Sequence, residues 1–514
     1  MRAPFLAFIL LLTAAPAALN AQAAAGDVPP KDAAKSDEAK PDKDVVKASV
    51  EEDAQPVRRS ISVRGKTLAY TATPGHLTIR NDKGEPIASM FYTAYTVPSA
   101  GRARPVTFLF NGGPGSSTMW LHMGSFGPMK VDASIPETIA GPPFRYGANP
   151  DTLLDVTDLV FIDAPTTGLS RELGKADPKD FFGVDKDADA FTRTVQRYLT
   201  KYGRWNSPKF IIGESYGTTR AAALSKSLSD NGVQLNGIVL VSTILNLGLF
   251  GGDDQSLIDF LPTYAADAWY HGKIQPKPDL MSFVSEAKAF AGGPYAAALQ
   301  KGAAISDEEK QSVAQQMARL TGLSPEYILR ANLRVQPNRF QRELLRDRRQ
   351  IIGRIDSRFI GTEADAAGES PSYDPQASAI TGAFTGAIND YLFRDLGYKT
   401  PLNYRVNNYA GIGNDWNFQH NSPDGQQFAA NVSSDLGQAM RENPRLKILN
   451  VAGLYDLATP FFGAEYDLGH IALDPQIAAN IRYTYYPAGH MMYIDPGSAR
   501  QLKADVAAFY ASAQ

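Results

Sequence analysis

A serine, an aspartate and a histidine, in that chain order, are the residues best placed to do chemistry in this sequence. Ser215 lies in Gly213-Glu-Ser-Tyr-Gly217, a G-x-S-x-G pentapeptide that follows the apolar Phe210-Ile-Ile212 and precedes an Ala/Leu-rich stretch over residues 218–228. Strand, sharp turn and helix in that order lift the central serine to the tip of an elbow, and the turn is too tight for side chains at its two glycines. The plainer alternative is a strand-to-helix loop whose glycines only reverse the chain. A serine hydroxyl is a weak nucleophile at its own pKa, so it needs a base within hydrogen-bond reach and a carboxylate to hold that base. Six histidines are available. His490 follows a late strand and sits in Pro487-Ala-Gly-His-Met-Met492, where the base of a Ser, Asp, His order belongs. Asp456 ends Gly453-Leu-Tyr-Asp456 after another late strand, and Glu465 and Asp467 are its rivals in what reads as the following helix. For an oxyanion the backbone N–H of Tyr216 is one donor. Gly113, in the loop Asn111-Gly-Gly-Pro-Gly-Ser-Ser117, is the other. That loop lacks the Gly-Lys-Ser/Thr of a phosphate cradle.

Elements able to position these residues are legible from hydropathy. Residues 60–97 alternate apolar and polar side chains and are broken at Arg64-Gly65, Pro74-Gly75 and Asn81-Asp-Lys-Gly84, a pattern of antiparallel strands. Continuous apolar runs follow at 106–110, 159–162, 210–212 and 238–244, separated by helical stretches, and these predict a parallel sheet covered on both faces. From 249 to 436 the strand rhythm gives way to helical segments at 255–271, 307–320 and 339–354, the last dense in arginine and read as a solvated face. This is expected to be a helical cap inserted over the C-terminal edge of the sheet, where α/β proteins bind ligands. The sheet resumes at 446–452 and 482–486, and a helix closes the chain from 498. The expected organisation is therefore a core over 57–248, a cap over 249–436 and a second core part over 437–514.

Ahead of the core, Arg2, the apolar Phe5-Leu-Ala-Phe-Ile-Leu-Leu-Leu12 and Ala21-Gln-Ala23 predict a signal peptide over residues 1–23, hence an exported, periplasmic or secreted protein without a membrane anchor once the leader is removed. Residues 24–56 hold Ala, Lys, Asp, Glu and Pro without an aromatic ring and predict a disordered linker. The net charge of −3 gives no reason to expect nucleic acid as a partner, and the absence of cysteine excludes disulfides, thiol catalysis and thiolate metal sites.

Taken together, Asn111-Gly-Gly-Pro-Gly-Ser-Ser117, Phe161-Ile-Asp163 with Pro165, Gly213-Glu-Ser-Tyr-Gly217 and Gly489-His-Met491 resemble the serine carboxypeptidases, as a bacterial-type exported member. The resemblance implies an α/β-hydrolase fold with a mostly parallel central sheet, antiparallel leading strands, helices on both faces and a large helical cap. It implies a triad of Ser215, Asp456 and His490, oxyanion donors at Gly113 and Tyr216, a peptide substrate and no cofactor. Asn111 and Glu214 would bind the substrate's terminal carboxylate, a role that the resemblance alone supplies. An esterase or acyltransferase with the same triad, and a non-catalytic scaffold, are the alternative readings. The chain departs from the family in four places. Ser116 stands where a cysteine is common, the loop from Pro165 to Ser170 is short, and a Gly-Asp-x-Asp signature reads Gly453-Leu-Tyr-Asp456. Ser125 occupies the place of a second carboxyl-binding glutamate. Without that neighbour Glu214 is expected to titrate lower than in the family, to be ionised at neutral pH, and to favour free C-termini less.

Overall fold

The apolar runs become the middle of one sheet because both of their faces are covered. The computed structural model describes residues 47–99, 104–248 and 252–513. The leader expected over residues 1–23, and the linker as far as residue 46, lie outside the described residues. Strands β1 (Val57–Val63), β2 (Lys66–Arg80) and β3 (Pro86–Thr96) pair antiparallel. They are followed by β4 (Val106–Phe110), β5 (Asp158–Ile162), β6 (Lys209–Glu214), β7 (Gly237–Val241), β8 (Lys447–Gly453) and β9 (Ile481–Tyr486). The order across the ten-stranded sheet is β1-β2-β3-β5-β4-β6-β7-β8-β9, with the short Arg171–Glu172 strand pairing beside β3. β3 meets β5 antiparallel, and every later neighbour pair is parallel.

Alternation along each central strand splits the core in two. Phe108, Phe110, Ile211, Ile238 and Leu240 point to one face, and Leu109, Phe210, Ile212, Val239 and Val241 to the other, as successive side chains on a strand must. The helices that position the site are α1 (Val184–Lys201), α2 (Tyr216–Asp230), α3 (Asp254–Tyr270), α4 (Pro375–Asn389), α5 (Ser433–Glu442) and α6 (Pro496–Ser512). Helices α1, α2 and α5 cover the first face through Phe191, Leu224 and Leu436. Phe384 of α4 and Val506 of α6 cover the second.

The insertion departs from the expected single cap. Its first half has a core of its own around Phe260, Phe283 and Phe340, but α4 returns to the sheet and packs Phe384 at a tilt against Trp120 with ring centroids 4.9 Å apart. Residues 405 and 407 then bridge to Gly168 and Ser116. The expected helix over 339–354 is also broken: Pro337–Glu343 is helical, whereas Gln350–Ile352 forms a strand paired with Ile360–Thr362. Periodicity could not separate these, because Leu344, Leu345, Ile351 and Ile352, which are buried here, would also share one side of a continuous helix.

Two corrections fall at the start of the core. Pro74 and Gly75 do not turn the chain but lie inside β2. Strand β1 pairs with β2 only as far as Ala72, and the edge beyond is taken by residues from the expected linker. Gln55 N–H donates to the Pro74 carbonyl at 3.0 Å and His76 N–H to the Asp53 carbonyl at 3.2 Å. Pro74 takes part through its carbonyl, so its missing N–H costs the ladder little. The linker's last residues are thus structural: Glu52 pairs with Arg197 at 2.6 Å, and Asp53 accepts from the His76 N–H at 2.7 Å and the Tyr398 hydroxyl at 2.8 Å. Composition hid this, since the partners of these carboxylates are supplied by distant elements. Asp53→Ala is expected to lower the unfolding free energy by about 1–2 kcal/mol, read as a shift of the urea midpoint at unchanged slope; an unmoved midpoint would mean that the edge contact carries no stability.

Candidate active site

Ser215 stands between the end of β6 and the start of α2 with φ 60° and ψ −130°, a left-handed conformation that costs a non-glycine residue about 1–3 kcal/mol. The surroundings hold it there. Its N–H donates to the Val241 carbonyl at 2.9 Å, and its carbonyl accepts from the Thr218 N–H at 2.7 Å. A Cβ on Gly213 would come within 2.1 Å of the Gly217 carbonyl oxygen, and one on Gly112 within 2.4 Å of the Gly217 nitrogen. The elbow and the glycine loop after β4 are therefore pressed together, and only glycine fits at the contact. The Ser215 side chain itself stays partly exposed.

β8 and β9 deliver the other two residues to the same edge. His490 Nδ1 lies 2.7 Å from Asp456 Oδ2. Asp456 also accepts from the Thr459 hydroxyl at 2.8 Å and from the N–H groups of Ala458 and Thr459 at 2.8 and 3.0 Å, so its oxygens are held on all sides. The Ser242 hydroxyl, just past β7, donates to the His490 carbonyl at 2.6 Å. Burial opposes protonation of His490, but the Asp456 carboxylate, aided by Glu214, outweighs it and holds the imidazole above its ordinary pKa. With Nδ1 engaged by Asp456, Nε2 is the nitrogen left for a substrate or a serine; neither it nor Ser215 Oγ has a hydrogen bond among the described residues. The rival acids are elsewhere. Asp467 accepts from the Asn246 N–H at 3.1 Å, and Glu465 pairs with Lys288 at 2.5 Å and accepts from the Tyr485 hydroxyl at 2.7 Å.

Gly113 has φ 111°, and Tyr216, the first residue of α2, has an N–H without an intrahelical acceptor. The carbonyl of Asn111 is fixed from below by Arg220 Nη1 at 2.6 Å. Arg220 is itself buried against Asp187, with Nε 2.7 Å from Oδ2. This buried pair, joining α1 and α2 beneath the glycine loop, is a support that residue pattern did not reveal. The Asn111 side chain accepts from the Leu121 N–H at 3.0 Å. Ser116, in the place of the family's cysteine, accepts from the Trp120 indole N–H at 3.0 Å.

Glu214 overturns an expectation. Burial pushes its carboxyl up to about 7, against the opposing pull of His490, the Tyr493 hydroxyl and Asn111. A second acid is not needed for this shift, because desolvation alone disfavours the anion. Its hydrogen-bond partner is Tyr493, whose hydroxyl donates to Oε2 at 2.6 Å. Ser125 does not take part: its hydroxyl donates to the Leu121 carbonyl at 2.6 Å. The sequence does not single out Tyr493; its place three residues after His490, in the loop that carries the base, is the one signal there for it. Among the described residues no cluster of three or more His, Asp or Glu side chains is placed to hold a metal ion, and no helix is long and apolar enough to cross a membrane.

Residues 64–365 match the family described as serine carboxypeptidase. Two Arabidopsis thaliana proteins align in part. "Putative serine carboxypeptidase-like 23" is 24% identical over 216 residues, 41% of this chain and 44% of that one. "Serine carboxypeptidase-like 51" is 30% identical over 156 residues, 28% of this chain and 30% of that one. The alignments thus span less than half the length of either relative. Among solved structures, the prohormone-processing carboxypeptidase Kex1 of Saccharomyces cerevisiae superposes with a TM-score of 0.51 at 15% identity, over 86% of this chain and 91% of that one. At that identity the likeness is one of fold, the α/β-hydrolase fold.

Proposed function

Because the chain belongs to the serine carboxypeptidase family, we propose that it removes C-terminal residues from peptides through an acyl-enzyme on Ser215. Ser215 Oγ attacks the carbonyl of the last peptide bond while His490 Nε2 takes its proton, and Asp456 stabilises the resulting imidazolium and holds its tautomer. The tetrahedral oxyanion receives hydrogen bonds from the Gly113 and Tyr216 N–H groups. His490 then gives the proton to the departing amine. A water, deprotonated by the same imidazole, hydrolyses the ester and restores Ser215. Asn111 and protonated Glu214 receive the terminal carboxylate. The leader over residues 1–23 makes this an exported enzyme.

The observation that carries the peptidase reading is Glu214, a buried acid next to the nucleophile that keeps its proton up to about neutral pH. A protonated carboxyl donates to a substrate carboxylate, whereas an ionised one repels it. Below its pKa of about 7 Glu214 favours free C-termini, and above it that help is lost. The test is kcat/KM for a matched peptide as free acid and as amide, from mildly acid to alkaline pH. His490 serves both substrates, so their ratio isolates carboxylate recognition. The acid-to-amide ratio is expected to fall roughly tenfold or more as pH rises through neutrality, the worth of one charge-assisted hydrogen bond. Glu214→Gln keeps a donor and does not titrate, so its ratio is expected to be flat. A ratio near unity at every pH would favour the esterase or acyltransferase reading.

A further inference from the structure

Residues 353–358 form a strap from the insertion, wedged between the loops that carry Asp456 and His490. Leu457 N–H donates to the Arg354 carbonyl at 3.0 Å, and His490 N–H to the Ile355 carbonyl at 2.7 Å. On the other side, Asp374 Oδ2 accepts from the Arg354 N–H at 2.6 Å and the Ile355 N–H at 3.1 Å. Arg358 and Asp356 anchor the strap as a buried ion pair at 2.8 Å, and Asp356 accepts from the Gly489 N–H at 3.1 Å. The backbone of Arg354 is therefore fixed one residue away from the carbonyl that meets His490.

Among the arginines of this stretch, Arg339 pairs with Glu369, Arg342 with Glu363 and Arg346 with Glu343. Arg348, Arg349 and Arg354 have exposed side chains without a hydrogen bond or ion pair among the described residues, and of these three it is Arg354 whose backbone meets the loops of Asp456 and His490. Asp374, the nearest acid to Arg354 along the backbone contacts, is engaged by N–H groups through both oxygens, Oδ1 accepting from Ala377 at 2.7 Å. The charge of Arg354 is felt by both the His490 imidazole and the Tyr409 hydroxyl, and the latter also feels Glu214. The Tyr409 ring in turn borders the glycine loop, with Cε1 3.1 Å from the position of a Cβ on Gly113. The strap thus brings Arg354 to the edge of the active site that holds the imidazole, the buried carboxyl and the glycine loop.

We propose that Arg354 is a specificity-determining residue that binds the terminal carboxylate of the substrate from the insertion side of the active site. The proposal rests on the carboxypeptidase reading above and adds a second group to it. A guanidinium offers a planar fork matched to a carboxylate and keeps its charge at any working pH. Glu214 can donate only while protonated, so Arg354 sustains recognition of free C-termini where Glu214 has ionised.

The test is kcat and KM for the acid and amide peptides at about pH 8, above the Glu214 pKa of about 7. Wild type, Arg354→Gln and Arg354→Lys are compared, with active sites titrated by a fluorophosphonate so that only competent enzyme is counted. Arg354→Gln is expected to raise KM for the free acid on the order of tenfold to a hundredfold, with a much smaller effect on the amide. Arg354→Lys should recover part of the loss, since it keeps the charge without the fork. An acid-to-amide ratio in Arg354→Gln equal to that of wild type, whether through no loss or equal losses, overturns the proposal and leaves the carboxypeptidase reading standing. Wild-type enzyme that titrates fully yet releases no C-terminal residue overturns that reading, and this proposal with it.

Discussion

Ser215→Ala is expected to abolish covalent labelling by a fluorophosphonate and to lower kcat by roughly 10⁴–10⁶, while the fold is retained. The elbow is held by backbone hydrogen bonds from Ser215 to Val241 and Thr218, and none of these uses the hydroxyl. Alanine accepts the same φ of 60° at a cost similar to that of serine, so the melting temperature should change little. His490→Ala should reduce turnover by a comparable factor, and the double variant by little more, because a nucleophile and its base act as a unit. Labelling that persists in Ser215→Ala would place the nucleophile elsewhere.

The second large effect concerns Asp456. Its Oδ2 meets His490 Nδ1 at 2.7 Å, while Oδ1 is occupied by the Ala458 and Thr459 N–H groups. An asparagine would keep its oxygen on those two donors and so turn its amide N–H toward the imidazole. Nδ1 must then accept, the ring proton moves to Nε2, and the nitrogen that should receive the Ser215 proton is already protonated. Asp456→Asn is therefore expected to cost roughly 10⁴ in kcat with the fold intact. Asp467→Asn, whose carboxylate serves the Asn246 N–H instead, should stay within a few-fold of wild type, consistent with a role in local packing. The opposite pair of results would reassign the acid.

Much of this arrangement is local in the chain and was legible there. Phe108 to Phe110 and Ile238 to Val241 alternate between two covered faces, so an unbroken apolar run already implies a sheet buried on both sides. The elbow at Ser215 follows from two glycines and the change from strand to helix within a few residues. The placement of Asp456 and His490 follows from the rule that loops after parallel strands gather at one edge, which needs only their order along the chain.

What the tertiary structure decided involves partners far apart in sequence. Glu214 and Tyr493 are separated by 279 positions, and no periodicity links them. The carboxyl's high pKa arises from its surroundings, so the neighbouring residue types in the sequence could not set it. Asp53 reads as linker because composition averages over a segment, whereas its hydrogen bonds depend on His76 and Tyr398 arriving from elsewhere. Arg354 sits in a run of arginines that looks uniformly solvated. Only the fold shows which of them find a carboxylate, and that Arg354, which does not, lies on the strap between the loops of Asp456 and His490. Secondary structure and chain order are set by short-range sterics and hydrophobic pattern, while protonation, pairing and exposure are set by what the folded chain brings within a few ångströms.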